Sequence, residues 1–395
     1  MNVESTPTAV EQPCEVRNRN RRLTIGLPRC EDPAERRFPL TPEGAALLIE
    51  RGFSVKMQEG AAESIHYEDS RYIRAGVEIA PRSETLSCDI VIYTATLSES
   101  DARALRRGAM VLTLLRAACG NERVIRALLE RHVISIALDL VEDERGCTPF
   151  ADILAEIDGR ASIAIASSLL ADSQKGKGIL LGGVAGIVPC EVLVIGSGIA
   201  ACAASRSAVG LGATVRMFDN DIYSLRRASQ ELGAGVITSA LHPRTLDNAL
   251  RTADVVVATP VTMPFALHSE AVGRMKKGVL TFDLTAAADG SSFPSMTPVD
   301  LALASAVDGS LRTDNRICYV HAGSAVARTA AMALTNTLLT LLESIVSCEG
   351  PSNALKLHPG MQKATLTFFG KPVNPAVASM LRTRSVDISI FLTLS

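Results

Sequence analysis

The stretch "EVLVIGSGIAACAASRSAVGLGATVRMFD", residues 191–219, leaves few folds open. An apolar run of strand length leads into a Gly-Ser-Gly turn, then into an alanine-rich segment of helical length, then into a second apolar run closed by Asp219. Strand, tight turn, helix and strand make one crossover unit of a parallel sheet, whose strands are buried on both faces. The rest of the chain repeats the alternation. Runs rich in Val, Ile and Leu ("LTIGLP", "FSVKMQ", "CDIVIYTA", "VVVATP", "GVLTFDLT") are separated by amphipathic helical segments such as "TPEGAALLIERG", "NERVIRALLERH" and "IYSLRRASQELG". The fold class expected is α/β, with two Rossmann-like domains on parallel sheets.

At 395 residues the chain exceeds one ordinary core and holds two. The polar opening, "MNVESTPTAVEQPCEVRNRN", lacks the apolar core of a signal peptide, so residues 1–20 are expected to be a loose tail. One α/β unit fills residues 21–150, and a second runs from the helical pattern "FADILAEIDGRASIAIASSLLAD" to residue 327. The ~70 residues left are too few for a third core. Residues 328–395 are therefore expected to return to the first unit, which would then be assembled from both chain ends.

Composition removes several function classes. A net charge of −2, with 47% hydrophobic and 21% charged residues, offers no surplus to attract a polyanion, so nucleic acid is not expected as a partner. The longest apolar stretch, 178–204, is broken by glycines, Pro189 and Glu191, and "AMALTNTLLTLLESIV" by Asn336 and Glu343. No membrane span is expected. Nine cysteines with no CxxC pair point to reduced thiols, a cytoplasmic location and no metal site.

Gly196-x-Gly198-x-x-Ala201 sits where the strand turns into the helix. Gly196 permits the tight turn, Gly198 lets backbone approach a pyrophosphate, and Ala201 allows helix and strand to pack closely. The helix N-terminus supplies unpaired N–H groups and a positive dipole end. Asp219 closes the second strand, where a carboxylate accepts from ribose hydroxyls, favouring NAD over NADP. Arg226 and Arg227 are within reach of a 2′-phosphate, but their helical placement fits a solvated face and Asp219 would repel that phosphate. Thr259, Val261 and Leu284, at the ends of the later strands, complete the candidate cofactor-binding set. "KGKG" at Lys175 is no P-loop, because no GK[ST] follows.

Over residues 21–395 the chain resembles the family of alanine dehydrogenases and domain I of nicotinamide nucleotide transhydrogenase. The resemblance is carried in order by "ERRFPLTPEGAALLIERG", "EIDGRASIAIAS", "KGKGILLGGVAGIVPCEVLVIGSG", "GLGATVRMFDNDIYSLRR", "TADVVVATPV" and "AVARTAAMALTN". It is closer to alanine dehydrogenases, since the long partner-contacting loop of the transhydrogenase domain has no counterpart. The resemblance implies NAD-linked oxidative deamination of alanine to pyruvate and ammonia. It places that reaction in a cleft between an NAD domain and a substrate domain built from both chain ends, in a homo-oligomer.

The resemblance also assigns site residues, and there the chain departs. Arg37 in "RRFPLTP" stands where the family binds the substrate carboxylate. The family's lysine in the third strand has no match, the strand offering Tyr93 and Ala95. Arg116 stands where the family has a histidine, Ala287 at the family's aspartate with Asp289 two residues on, and His321 at its asparagine-centred turn. Arg37, Arg116, Asp289 and His321 are thus the catalytic candidates. Arg116 is open to two readings, a bidentate clamp for a small-molecule carboxylate substrate or a partner for phosphate or a nearby Asp. Three functional readings stand at this point. One is an NAD-dependent dehydrogenase of the alanine dehydrogenase type, the second a catalytically weakened NAD-binding sensor or assembly protein, and the third a transhydrogenase-like hydride-donor subunit.

Overall fold

The computed structural model describes residues 22–114, 121–263, 265–285, 291–303, 317–347 and 351–393. The strands of its first half are β1 (Thr24–Leu27), β2 (Ser54–Gln58), β3 (Glu78–Ala80), β4 (Ile90–Ile92), β5 (Met110–Thr113) and β6 (Ile134–Ala137). Those that follow are β7 (Glu191–Ile195), β8 (Thr214–Asp219), β9 (Val236–Ala240), β10 (Val255–Ala258), β11 (Leu280–Asp283), β12 (Thr297–Asp300) and β13 (Ile317–Val320), and the chain ends with β14 (Thr365–Phe368) and β15 (Lys371–Pro372).

Two sheets form. The second has the order β12-β13-β11-β10-β7-β8-β9 and is parallel throughout. Its strands grow from β7 toward β9 and then jump back to β10, so the order reverses between β7 and β10. That switch point opens a crevice at the carboxyl ends of the strands. The first sheet, β15-β14-β6-β5-β4-β1-β2-β3, has the same reversal between β1 and β4.

The last strands rejoin the first sheet, and they do so antiparallel. β14 pairs antiparallel with β6, and β15 with β14. A reversal at Phe369 and Gly370, both with positive φ (42° and 79°), closes this hairpin with the backbone twist that tight two-residue hairpins need. The first sheet is therefore mixed, parallel from β3 to β6 and antiparallel beyond.

One long helix joins both cores, and a second fills the first. Pro149–Ala171 begins with proline at its first turn, where the missing N–H costs nothing. Its first half buries Phe150, Leu154 and Ile157 in the core of the first sheet, and its second half buries Ile163, Ala166 and Leu170 in that of the second. Helix Ala327–Ser347 repeats apolar residues at helical spacing, and Ala330, Ala331, Leu334, Leu338, Leu342 and Ile345 all join the first core. Among the described residues no helix is long and apolar enough to cross a membrane, and no group of three or more His, Cys, Asp and Glu is placed to hold a metal ion.

Candidate functional site

The glycine turn is built by close backbone contacts. Gly196 follows β7 with φ of +104°, and its N–H donates to the Phe218 carbonyl at 2.7 Å. A Cβ at this position would lie 2.1 Å from Thr259 Oγ1. Thr259 is buried, and its N–H and hydroxyl both donate to the Ile195 carbonyl, at 2.8 and 2.9 Å. Its side chain thus braces the turn from behind.

Gly198 is different. It caps helix Ile199–Gly210 with no side chain bonded to the first turn, and a Cβ there would meet nothing within 4 Å. The first turn of that helix, with no side-chain cap, stands at the switch point, an arrangement that fits a diphosphate. Ala201 is fully buried behind it. The helix is held close by Gly159 of Pro149–Ala171, where a Cβ would come within 2.2 Å of the Ala200 carbonyl oxygen.

Asp219 ends β8, buried beside the turn. Ser197 Oγ donates to its Oδ2 at 2.6 Å and the Asp221 N–H to its Oδ1 at 3.0 Å. A carboxylate has about four acceptor positions, so two remain for a pair of vicinal hydroxyls. Arg226 and Arg227 are exposed; Arg227 reaches Ser224 Oγ at 3.1 Å and Arg226 lies over the Tyr223 ring. The residues present therefore fit a dinucleotide with free ribose hydroxyls.

Along the same carboxyl edge, a cavity of about 460 Å³ opens between the sheets, lined by Arg37, Asp158, Asp283, Leu284, Phe293, Met296, His321 and Ser324 among others. Leu284 and His321 of the expected set line it together with Arg37. Val261 lies in the loop after β10, partly buried against the cluster of Phe218 and Ala258. Arg116, Ala287 and Asp289 fall outside the described residues, and with them the expected meeting of Arg37 and Arg116.

Arg37 is largely buried in the loop after β1. Its Nε donates to Glu35 Oε1 at 2.8 Å and its Nη2 to Glu35 Oε2. The backbone is tied as well, Thr94 Oγ1 donating to the Arg37 carbonyl at 2.9 Å. Burial disfavours the charge, but the Glu35 fork and the nearby Asp158 and Asp139 outweigh it, so the guanidinium is held more firmly protonated than usual. Among the described residues no hydrogen bond reaches Nη1. Tyr93, in the strand where the resemblance asks for a lysine, braces the fold instead. Its hydroxyl accepts the Glu31 N–H at 3.3 Å and its ring lies beneath Arg82.

His321 follows β13 in the left-handed region, φ 56° and ψ 42°, as the cap of the short helix Ala322–Ala325. That conformation costs a residue with a Cβ about 1 to 2 kcal/mol, less for residues such as Asn and His that are enriched there. The surroundings hold it: Asp158 Oδ1 accepts the Gly323 N–H at 2.7 Å, and His321 Nδ1 meets Asp300 Oδ2 at 2.8 Å. Asp283 is spent differently. Its carboxylate accepts from the Thr285 N–H, the Thr285 hydroxyl, the Ser291 hydroxyl and the Ser292 N–H, which ties Thr285 to Ser291 and Ser292. Cys318, beneath, has its thiol pushed up by burial and by Asp283.

Sequence reasoning missed Asp158, Asp283 and Asp300. Gly159 beside Asp158 carried a packing signal, a glycine inside a long helical pattern, but nothing marked the aspartate itself, whose partner Gly323 is 165 residues away. Asp300 carried none, because its partner His321 is 21 residues away.

The comparisons agree with this architecture. The family model "Alanine dehydrogenase/PNT, N-terminal domain" matches residues 26–157 and "Alanine dehydrogenase/PNT, C-terminal domain" matches 162–375. An alanine dehydrogenase of Mycolicibacterium smegmatis is 29% identical over 378 residues, covering 94% of this chain and 100% of that protein. One of Mycobacterium tuberculosis is 28% identical over 366 residues, covering 91% and 97%. A solved L-alanine dehydrogenase superposes with a TM-score of 0.79 at 24% identity, over 91% of this chain and 99% of that one. A transhydrogenase from Sinorhizobium meliloti gives 0.71 at 21%, over 89% and 99%. Matched by family models in both halves, the chain belongs to the alanine dehydrogenase/PNT family, a family of NAD-dependent oxidoreductases.

Proposed function

We propose that this chain is an NAD-dependent oxidoreductase of the alanine dehydrogenase type, interconverting L-alanine or a related small amino acid with its 2-oxo acid and ammonia. Residues 21–150 and 328–395 would form its substrate domain and 151–327 its NAD domain. One observation carries the reading: Arg37 from the first sheet and Leu284 and His321 from the second open on one cavity, on the same strand edge as the glycine turn. A dinucleotide with its diphosphate at Gly198 and its adenosine ribose at Asp219 would extend along that edge toward the cavity. NAD, when bound, supplies the hydride acceptor. Arg37 Nη1 then binds and orients the substrate carboxylate, and the apolar wall of Leu284, Phe293 and Met296 excludes water.

The test is turnover of a panel of small amino acids with NAD, and of 2-oxo acids with ammonium and NADH, beside calorimetric titration of both cofactors. NAD should bind more tightly than NADP, and Asp219→Ala should narrow the gap. A second reading, an NAD-binding protein without turnover, is favoured by the Glu35 fork, which already engages two of the Arg37 nitrogens. NAD binding with no turnover of any acid would select it.

A further inference from the structure

Asp300 and His321 stand at the ends of neighbouring parallel strands, with Asp300 in register with Val320. Asp300 is itself pinned, its Oδ1 accepting the Ala302 N–H at 2.8 Å while Oδ2 meets His321 Nδ1. His321 is pinned from the backbone side, its carbonyl accepting the Ser324 N–H at 3.0 Å and the next turn being tied to Asp158. The imidazole is therefore fixed at the cavity wall with one nitrogen committed. Nε2 has no partner among the described residues.

The other described titratable groups on that wall are committed elsewhere. Arg37 keeps its proton, Asp283 accepts from four donors, Cys318 stays a thiol, and Asp158 Oδ1 holds the Gly323 N–H. A carboxylate on Nδ1 selects the neutral tautomer that carries its proton there and leaves the Nε2 lone pair free.

We propose that Asp300 and His321 form a carboxylate–imidazole pair in which Nε2 of His321 takes up and returns the proton of the reaction, with Asp300 as its positioning residue. The identity of that reaction rests on the function proposed above. In the deaminating direction an amino acid in its ammonium form, NAD⁺ and water yield 2-oxo acid, ammonium ion, NADH and one proton. The α-carbon loses its hydride to the cofactor, the C–N bond breaks, water oxygen becomes the carbonyl oxygen, and the one surplus proton passes to Nε2. In the reverse direction the same nitrogen returns it.

Kinetics and histidine NMR on the full chain test this together. His321→Ala should lower kcat by about 10²- to 10⁴-fold with NAD affinity held within about twofold. Asp300→Ala should lower kcat by about tenfold to a hundredfold with little change in KM. ¹⁵N-histidine spectra should show neutral His321 protonated on Nδ1 in the wild type and shifted toward the Nε2–H form in Asp300→Ala, and a shift of tautomer with kcat unchanged would overturn the positioning role. An active wild type in which His321 carries its proton on Nε2, or a His321→Ala variant that retains kcat, would overturn the proposal while leaving the dehydrogenase reading intact. A wild type that turns over no acid would overturn both, whatever the tautomer.

Discussion

Asp158 Oδ1 accepts the backbone N–H of Gly323 at 2.7 Å, so the helix that runs through both cores also fixes the turn that presents His321. A Cβ at Gly323 would lie 2.2 Å from that same oxygen. Gly323→Ala should therefore push the turn off the helix, costing about 1 to 3 kcal/mol through a lost charge-assisted bond. It should also lower kcat, because His321 moves with the turn. Urea unfolding midpoints read beside kcat check this; a variant unchanged in both would show that the contact does not position the site.

The two glycines of the turn should respond oppositely to a side chain. Gly198→Val places methyl groups in open volume, so stability should stay within about 0.5 kcal/mol of wild type while NAD affinity falls at least about tenfold. Gly196→Val meets both a positive φ and the Thr259 hydroxyl, and should cost several kcal/mol or prevent folding. Calorimetric titration with thermal melts distinguishes them. Equal NAD affinity in Gly198→Val and wild type would remove the diphosphate from this turn.

Arg37 needs a gentle substitution, because its alanine variant would leave Glu35 buried without its cation. Arg37→Lys keeps the charge and loses the planar fork. KM for the acid substrate should rise about tenfold to a hundredfold, with NAD affinity unchanged. A KM at the wild-type value would place the carboxylate elsewhere.

A pH effect on stability is expected at Asp254, buried at the start of β10 with Lys276 Nζ at 2.6 Å and Lys177 Nζ at 3.3 Å. Burial pushes its carboxyl up, but the two lysines outweigh it and hold it below the usual carboxylate range. Because the folded value lies below the unfolded one, this stability is present at neutral pH and lost as pH falls through the folded value. Asp254→Asn should cost about 1 to 3 kcal/mol near pH 7, a deficit that shrinks below about pH 4. Denaturation midpoints of both proteins across that range check it, and a deficit independent of pH would contradict the assignment.

The parts of the fold that sequence reveals are those set by neighbours along the chain. Gly196, Gly198 and Asp219 are legible because a strand, a turn and a helix each carry their own period and punctuation. The return of the last strands to the first sheet follows from a shortage of residues, but β14 pairs antiparallel with β6, a strand far upstream in the sequence, and nothing local sets that direction. The site is less legible for the same reason. Arg37 is found by resemblance, yet its Glu35 fork shows only in three dimensions. Asp158 and Asp300 reach His321 and its turn across the fold, and no local pattern announces them.

Hydride transfer itself is the most direct test of the central claim. With L-alanine or another accepted small amino acid carrying deuterium on its α-carbon, the protein should produce NADH containing that deuterium, detected by mass spectrometry of the cofactor. Saturating NAD, a folded protein and no label in the cofactor from any small amino acid would contradict the account.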